Sequence, residues 1–413
     1  MYQKAKQINT VWFWIVGVLV VLIFYPSKNI IADENNVSIG KSINKSACRL
    51  YHSLEKEKGN LFFSPYSIST AMSMAYIGAR GKTADEISNA LYFPKEVSKT
   101  AKWFSILQDK LNEISEVGNI ELLSANSMWL QKGFNTLKSF REIIVNDYKA
   151  GVFFVDFAGD TEKARKKIND WVSQKTKKKI PELLGKRVLG PTTRLVLCNA
   201  LYFKGEWYST FDRERTRKDD FWVTSDKGIK VDMMRKNGWF RYKDFGIFEA
   251  VELMYGGEKL SMIIFLPKNT DGISELEKDL TGENLNKWIN DVLNGPRKYL
   301  TIGLPKFKIG KSFELKKQLQ QIGIKTAFGN ADFSGIDGKR DLFISAVVHK
   351  SIIEVNETGT EAAAATGVVM AKSISFKKSK EFIVNHPFVF VIVEKSTQTV
   401  LFMGKIVNPL IIK

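Results

Sequence analysis

The chain has 413 residues, of which 44% are hydrophobic and 12% aromatic, and its formal net charge at pH 7 is +18. This is the composition of a globular protein with a large core, and such an excess of cations predicts nonspecific attraction to polyanions. The sequence has no internal repeat or low-complexity block, and no stretch rich in Pro, Gly or Ser interrupts it after the first forty residues. These features exclude a repeat protein and favour one large domain.

The N-terminal residues have the pattern of a targeting segment. Lys4 and Lys6 precede the apolar run 11–25, which Pro26 ends. A basic start followed by a short apolar run predicts a secretory signal peptide, and the run is shorter than the roughly 18 to 20 residues of a membrane-spanning helix. We expect residues 1–32 to be a signal peptide and residues 33–413 to form a single secreted, extracellular domain. An uncleaved membrane anchor is the alternative.

Two cysteines and three sequons bear on this expectation, and the third sequon, at Asn356, lies in a segment that we expect to move and not to carry a glycan. Cys48 and Cys198 both lie among apolar residues, which favours free buried thiols over a disulfide. Asn36 and Asn44 each begin an Asn-X-Ser sequon, so we expect them to carry glycans if the chain enters the secretory pathway.

Basic residues cluster in several short runs, of which KTKKK at positions 175–179 is the densest. One interpretation is a site for a glycosaminoglycan or similar polyanion, and the other is a solvated surface. No aromatic residues are interleaved with these runs, which argues against a specific nucleic-acid site. The candidate polyanion-binding residues are Lys175, Lys177, Lys178 and Lys179.

The hydrophobic periodicity changes along the chain. Apolar residues recur at helical spacing in residues 43–54, which predicts an amphipathic helix. Residues 195–203 form a short apolar and aromatic run, and residues 250–266 and 388–403 have the pattern of β-hairpins. Helices dominate the first half and hairpins the second, so we predict an α+β fold rather than alternating βαβ units.

Common catalytic motifs are missing from the sequence. It contains no G-x-S-x-G elbow, no phosphate-binding loop and no HExxH helix. The three histidines, His52, His349 and His386, are not accompanied by a cysteine pair at metal-ligand spacing. We therefore expect no enzyme activity and no metal or organic cofactor.

Residues 354–376 are the most informative segment. Within them, GTEAAAATG at positions 359–367 resembles a helix at first, because alanine is the best helix former. Strand-like residues 352–355 precede it and Val368 and Val369 follow it. Small side chains also suit a segment that slides between two strands, because no bulky or charged side chain has to be desolvated on entry.

The chain resembles the serpin family. The resemblance spans nearly all of the sequence after residue 32 and depends on eight segments in the right order and spacing. They are NLFFSPYSIS (60–69), NALYFKGEW (199–207), LPKFKI (304–309), ADFSGI (331–336), HK (349–350), ETGTEAAAAT (357–366), NHPF (385–388) and LFMGKIVNP (401–409).

The resemblance implies an α+β serpin fold of about nine helices and three β-sheets, with an exposed reactive loop at about 357–376. It also implies a monomeric serine-type protease inhibitor that acts as a suicide substrate. The target protease cleaves the loop and forms an acyl-enzyme, and the loop then inserts into the main sheet. About 14 inserted residues at ~3.3 Å each would carry the protease roughly 45 Å. A non-inhibitory serpin that acts as a carrier, storage protein or chaperone is the alternative.

The resemblance also assigns roles to individual residues. The shutter, a polar cluster beneath the strands that must part, corresponds to Ser64, Ser67, Asn199 and His349. The breach, where insertion begins, corresponds to Trp207, Lys306 and Glu357, and a Lys306–Glu357 ion pair would close the loop base. The hinge corresponds to Glu357, Gly359, Thr360, Glu361, Ala362, Ala363, Ala364, Ala365 and Thr366. Each shutter residue could instead be an ordinary hydrogen-bonded core residue.

The reactive bond is placed by counting. In inhibitory members the residue before the reactive bond usually lies sixteen residues after the one that corresponds to Glu357. This spacing places the reactive bond between Ser373 and Ile374. The bond between Lys372 and Ser373 is the alternative, because a trypsin-like protease cleaves after lysine. Cleavage near Met370 would suit a chymotrypsin-like or elastase-like protease but would leave a short inserted segment.

Overall fold

A computed structural model describes residues 29–55, 59–115, 119–360 and 380–412, with the side chains of residues 29–38 left out. Most of the predicted signal peptide and most of the predicted reactive loop therefore lie outside the described residues. Within the described ranges the chain forms ten α-helices and fifteen strands.

The helices are α1 (Asn29–Leu54), α2 (Pro65–Gly78), α3 (Gly81–Leu91), α4 (Val97–Ser115), α5 (Lys138–Asn146), α6 (Thr161–Lys175), α7 (Ile273–Asp279), α8 (Gly282–Leu293), α9 (Lys316–Gln321) and α10 (Ser334–Asp337). The strands are β1 (Leu61–Phe63), β2 (Ile120–Gln131), β3 (Gly151–Val155), β4 (Leu195–Glu206), β5 (Arg217–Thr224), β6 (Lys227–Asp244), β7 (Phe248–Met254), β8 (Leu260–Pro267), β9 (Arg297–Pro305), β10 (Phe307–Glu314), β11 (Ile344–Val355), β12 (Gly359–Thr360), β13 (Lys380–Ile383), β14 (Phe388–Glu394) and β15 (Thr399–Ile406).

The main sheet has six strands in the order β10-β11-β12-β4-β2-β3, and β11 also pairs directly with β4. Side chains of β4 alternate between two hydrophobic cores. Leu195, Leu197 and Leu201 join the larger core, whereas Val196 and Cys198 join a smaller core that includes residues of α6. A strand buried on both faces has a nearly continuous apolar sequence, which explains the run LVLCNALYF.

The other nine strands form one connected network that divides into two sheets at β6. The long strand β6 pairs with β5 and β9 over most of its length, and only its last residues, Tyr242–Asp244, pair with β7. One part holds β5, β6, β9 and β13, and the other holds β7, β8, β14, β15 and β1. Together with the main sheet this gives the three expected sheets, and the α+β prediction is confirmed.

Helix α2 passes through the interior and is buried at every residue from Pro65 to Gly78. Ser64 is its N-cap, with a side-chain oxygen that accepts from the backbone N–H of Ser67, and Pro65 occupies the first helical position. Both residue types are favoured at these positions because they satisfy or avoid unpaired N–H groups. The start of α2 is therefore fixed beneath the main sheet.

Several local predictions are confirmed. The periodic residues 43–54 lie in α1, the two hairpins are β7–β8 and β14–β15, and both cysteines are buried and free. Helix α1 includes Asn29–Leu54, so the predicted cleavage point after Ala32 falls inside this helix. In the described part of the chain, no helix combines the length and apolar character needed to cross a membrane.

Candidate functional site

One end of the main sheet holds a very short strand between two neighbours. Within the described residues, β12 consists of Gly359 and Thr360. Thr360 pairs antiparallel with Val355 of β11 and with Gly205 of β4, and Gly359 pairs with Glu206 of β4. β12 therefore lies in a gap between β4 and β11, at the point where the predicted reactive loop leaves the described residues.

Away from β12 the same two strands close directly against each other. β4 and β11 are parallel, and their paired residues extend from Leu195 with Ile344 to Tyr202 with Ile352. The main sheet is thus open at one end and closed along the rest of these two strands. A strand that extended β12 would have to replace this direct pairing.

The turn before β12 is held by the segment that follows β4. Three successive carbonyl oxygens accept hydrogen bonds from this segment: Asn356 O from Trp207 Nε1 at 3.0 Å, Glu357 O from Phe211 N at 2.8 Å, and Thr358 O from Trp207 N at 2.9 Å. Within the turn, the side-chain oxygen of Asn356 accepts from the backbone N–H of Thr358 at 3.1 Å. The backbone of the loop base is therefore fixed in position.

The two residues of β12 fit a closely packed slot. Thr360 is fully buried, with its hydroxyl 2.8 Å from that of Tyr255, and the Tyr255 ring stacks on Trp207 with centroids 4.7 Å apart. A Cβ added to Gly359 would lie 2.1 Å from the carbonyl oxygen of Gly205. Because that oxygen belongs to a paired strand, only glycine allows this close backbone approach.

The structure contains the ion pair expected at the loop base. Lys306 Nζ lies 3.1 Å from both carboxylate oxygens of Glu357, and Thr216 Oγ1 donates to Glu357 Oε1 at 2.9 Å. Glu357 is buried whereas Lys306 remains partly exposed. These contacts link the turn before β12 to two other places in the chain. Lys306 lies between β9 and β10, and Thr216 lies next to β5.

The charge of Glu357 depends on these hydrogen bonds. Burial by itself would raise the pKa of Glu357. Hydrogen bonds from its own backbone N–H, the Lys306 ammonium and the Thr216 hydroxyl lower the pKa by a larger amount, so the net pKa lies below the ordinary value of 4.5. A lowered pKa in the folded state means that the ionised carboxylate stabilises the fold above pH 4.5. This contribution is lost as the pH falls through the folded-state pKa.

The four predicted shutter residues come together in one fully buried cluster beneath the main sheet. Ser67 Oγ donates to Asn199 Oδ1 at 2.6 Å, and Asn199 Nδ2 donates to Ser67 O at 2.8 Å. His349 Nδ1 also lies 2.6 Å from Asn199 Oδ1, and Ser64 N donates to His349 Nε2 at 3.0 Å. Because Asn199 and His349 are paired residues of β4 and β11, the cluster joins these two strands to the start of α2.

The hydrogen bonds fix the form of His349. Its Nε2 accepts from the backbone N–H of Ser64, so the ring proton lies on Nδ1 and is donated to Asn199 Oδ1. Burial lowers the pKa of His349 to about 3. The ring is therefore neutral at physiological pH, and protonation would place an uncompensated charge between the two strands.

Sequence reasoning missed several residues of this site. Asn126 of β2 accepts from Asn199 Nδ2, which extends the polar cluster to a third strand. Tyr255 and Phe211 support β12 and its turn, and Thr216 binds Glu357. Asn126 could have been found as a polar residue in an apolar strand, but the other three gave no comparable signal because only the tertiary fold brings them to the loop base.

The remaining hinge and reactive-bond predictions lie outside the described residues. They concern Glu361, Ala362, Ala363, Ala364, Ala365 and Thr366 of the hinge and Lys372, Ser373 and Ile374 of the reactive bond. The structure therefore describes the base of the predicted loop, Glu357 to Thr360.

The predicted glycan at Asn44 is wrong for the folded protein. Asn44 is fully buried, and its Nδ2 donates to Asn286 Oδ1 and to Gln398 O, both at 2.8 Å. Its Oδ1 accepts from Val400 N at 2.9 Å. The nitrogen that would carry a glycan has no access to solvent. The side chain of Asn36, the other sequon, lies outside the described side chains.

The four lysines of the predicted polyanion site are exposed at the C-terminal end of α6. Lys177 forms an ion pair with Glu121, which offsets one of the four charges. Lys175 lies over the Trp171 ring at 5.9 Å and Lys179 over the Tyr202 ring at 5.2 Å. The run therefore covers aromatic surface as well as presenting positive charge.

The architecture and this site are those of a serpin. The sequence model of the serpin (serine protease inhibitor) family matches residues 41–409. The chain belongs to the serpin family.

The relatives of this chain have names that describe different functions. The chain is 40% identical to the leukocyte elastase inhibitor of Xenopus laevis over 360 residues, which cover 85% of this chain and 93% of the relative. Serpin48 of the insect Tenebrio molitor has 33% sequence identity and a TM-score of 0.79, covering 92% of this chain and 99% of Serpin48. Human thyroxine-binding globulin has 29% identity and a TM-score of 0.81, covering 91% and 99% of the two chains.

Glu357→Gln should lower the free energy of unfolding by about 1 kcal/mol at pH 7, because it removes the charge from a partly exposed ion pair. The difference from the unchanged protein should shrink below pH 4.5, as Glu357 becomes protonated in the fold. Chemical unfolding curves between pH 3 and 7 would measure this. Glu354→Gln is the control, because it removes a more exposed pair with Lys308 outside the turn. A difference that stays constant with pH would contradict the assigned role of the carboxylate.

His349→Gln should flatten the dependence of stability on pH. The folded-state pKa of about 3 lies below the ordinary 6.5, so stability is complete above pH 6.5 and decreases as the pH falls toward 3. The unchanged protein should lose up to about 1.4 kcal/mol per pH unit more than the variant in this range. His52→Gln, which replaces a half-exposed histidine of α1, should keep the original slope. Equal slopes for all three proteins would overturn the prediction.

Proposed function

We propose that this serpin is an inhibitor of serine proteases that acts as a suicide substrate. The observation that carries the proposal is β12, whose described residues are already paired with β4 and β11 at the base of the predicted loop. The similarity to the leukocyte elastase inhibitor of Xenopus laevis supports the same function.

The pairing geometry favours further insertion once the loop is cut. β4 and β11 are parallel to each other, and β12 is antiparallel to both. Extending β12 would replace one parallel ladder with two antiparallel ladders, and antiparallel pairing is slightly more stable per residue. An uncut loop is anchored at both ends, whereas cleavage frees one end. Release of that end allows the chain to move into the sheet.

The hinge composition lowers the cost of insertion. Because side chains alternate along a strand, a continued β12 would place Ala362 and Ala364 on the same face as buried Thr360. Alanine carries no polar group that would need a buried partner and adds no bulk. Glu361 would lie on the opposite face. The sequence of the hinge is thus compatible with burial of every second residue.

The polar cluster around His349 would resist opening until cleavage. Separating β4 from β11 breaks the hydrogen bond between His349 and Asn199, and each group must then find another partner. The cluster would therefore hold the sheet closed in the uncut protein. Residues of α2 remain available below it as alternative partners, since Ser64 and Ser67 already bind the two side chains.

Two variants test insertion directly. Ala362→Arg should convert the inhibitor into a substrate, because a guanidinium on the inward face would have to be buried without a partner. Glu361→Arg is the control, because a continued β12 would place residue 361 on the other face, opposite the partly exposed Lys204 and Glu354, and it should leave inhibition largely intact. Each protein would be incubated with trypsin, chymotrypsin and elastase, and complexes that survive denaturing gel electrophoresis would be quantified.

We expect at least a tenfold fall in the ratio of complex to cleaved protein for Ala362→Arg only. Equal complex formation by both variants would refute insertion along this face. Thr360 is less suitable for this test, because it is buried before cleavage and its replacement would also disturb the uncut protein.

Mass spectrometry of the released C-terminal peptide would identify the reactive bond. We propose Ser373–Ile374, with Lys372–Ser373 as the alternative for a trypsin-like target. A peptide beginning with Ile374 would support the first bond, and one beginning with Ser373 the second. A peptide that begins elsewhere would contradict both assignments.

A non-inhibitory function is the second candidate, because the chain is also similar in structure to human thyroxine-binding globulin. A carrier would be cleaved in the loop without forming a stable complex with any protease of the panel. The gel experiment therefore separates the two functions. A complex with one protease excludes a purely carrying role.

We further propose that the protein is secreted as a monomer after removal of residues 1–32, as their sequence pattern predicts, with a glycan at Asn36. N-terminal sequencing of protein recovered from the medium would test this.

We also propose that Lys175, Lys177, Lys178 and Lys179 attract glycosaminoglycans, which their exposure supports. Salt-sensitive retention on heparin that falls when all four are replaced by Gln would support the site.

A further inference from the structure

The exposed face of β6 and β9 carries two large aromatic side chains that lie against each other. Trp239 and Tyr299 are paired residues of the two strands, and their ring centroids are 5.7 Å apart. Trp239 is 61% exposed and Tyr299 is 44% exposed. An aromatic pair between neighbouring strands stabilises a sheet, but most of the Trp239 side chain remains in water. Covering this apolar surface with another surface would be favourable.

The register of the two strands places two arginines on the same face. Arg241 and Arg297 are paired with each other, two residues along from Trp239 and Tyr299. Side chains alternate between the two faces of a sheet, so residues that are two apart lie on one face. The four side chains therefore form one continuous surface.

Residues of β7 and of the segment after β4 border this surface. Arg297 Nη2 lies 3.9 Å from Met254 Sδ, and Arg241 Nη1 binds the Glu252 carboxylate at 2.9 Å. Tyr208 is 58% exposed, and its backbone N–H donates to the Met254 carbonyl oxygen at 2.9 Å. We call the following six residues the aromatic–arginine patch: Tyr208, Trp239, Arg241, Met254, Arg297 and Tyr299.

The composition of the patch is that of a protein interface. Tyrosine, tryptophan, methionine and arginine are enriched in interfaces, whereas lysine, glutamate and aspartate are depleted. Tryptophan, tyrosine and arginine are also the residues that most often dominate binding energy. All six residues of the patch belong to the enriched types. The partner that fits this surface is therefore another protein.

Arg297 is the charged group that the patch offers to a partner. Its guanidinium has no carboxylate within ion-pair distance among the described residues. Arg241 differs, because it binds the buried carboxylate of Glu252. The next acid on this face, Glu381 of β13, pairs with Thr301, four residues along β9 from Arg297. A carboxylate on a partner surface would complement Arg297.

The patch lies beside the C-terminal end of the predicted reactive loop. Lys380, the first described residue of β13, pairs with Leu300, which directly follows Tyr299. The proposed reactive bond ends at Ile374, six residues before Lys380, and six residues span at most about 22 Å. A globular protease of about 230 residues has a radius of gyration near 17 Å, which corresponds to a diameter of about 45 Å. A protease bound at this bond is therefore large enough to reach the patch.

We propose that the aromatic–arginine patch is a second docking surface for the target protease, which places an apolar surface against Trp239 and a carboxylate against Arg297. The proposal rests on the proposed inhibitory function, because it takes the same protease as the partner. Contact at the patch adds binding energy outside the reactive loop, so it speeds capture and selects among proteases that cleave the same bond. The patch takes no part in insertion, because β6 and β9 lie outside the main sheet.

Trp239→Ala tests docking through the rate of capture. Association with whichever of trypsin, chymotrypsin and elastase forms complexes should be at least tenfold slower than for the unchanged protein. The number of protein molecules consumed per trapped protease should stay the same, because insertion does not involve the patch. Trp239→Tyr keeps an aromatic ring and should restore most of the rate. Tyr92→Ala is the control, because it removes an exposed aromatic ring that lies against Lys45 and Arg49 of α1.

Arg297→Glu tests the chemistry of the partner surface. Anionic and cationic trypsin have the same primary specificity and differ in net charge, so a comparison of the two isolates the surface electrostatics. Arg297→Glu should slow capture of the anionic form more, and added salt should reduce the loss. Lys102→Glu makes the same change in net charge at an exposed position of α4 and should have a smaller effect. Equal effects of the two substitutions would contradict a contact at Arg297.

The docking surface and the inhibitory function fail in different ways. Cleavage of the unchanged protein without a stable complex would refute inhibition, but the rate of loop cleavage would still report docking and should fall at least tenfold in Trp239→Ala. Unchanged rates of both complex formation and cleavage in Trp239→Ala would overturn the docking surface. A concentration-dependent dimer that Trp239→Ala abolishes would instead assign the patch to a second copy of the chain, and would overturn the protease as its partner.

Discussion

The parallel pairing of β4 with β11 is the constraint on which the rest of the structure depends. These two central strands of the main sheet are hydrogen-bonded to each other along most of their length, yet they separate at one end around β12. The other features of the site either hold this pair closed or hold the end open.

Two kinds of interaction maintain this arrangement. At the open end, hydrogen bonds from the indole and backbone N–H groups of Trp207, the backbone N–H of Phe211 and the Lys306–Glu357 ion pair fix the turn before β12. Beneath the closed part, the neutral ring of His349 joins β11 to Asn199 of β4. The first set surrounds a partly exposed charge pair, and the second is fully buried. Opening the closed part of the sheet therefore requires breaking buried hydrogen bonds in its middle.

The sequence by itself determined the α+β class, the periodic helix at residues 43–54, the hairpins and the buried free cysteines, because these depend on local spacing of apolar residues and on turn chemistry. It also pointed to His349, Asn199, Lys306 and Glu357 through family resemblance. Only the tertiary structure showed that Asn44 is buried, since its partners Asn286, Gln398 and Val400 are distant in sequence. The same holds for Asn126 beside Asn199. The burial and the hydrogen-bond partners of a polar side chain depend on strand register and on packing between chain segments that are far apart in sequence. The local sequence pattern does not contain this information.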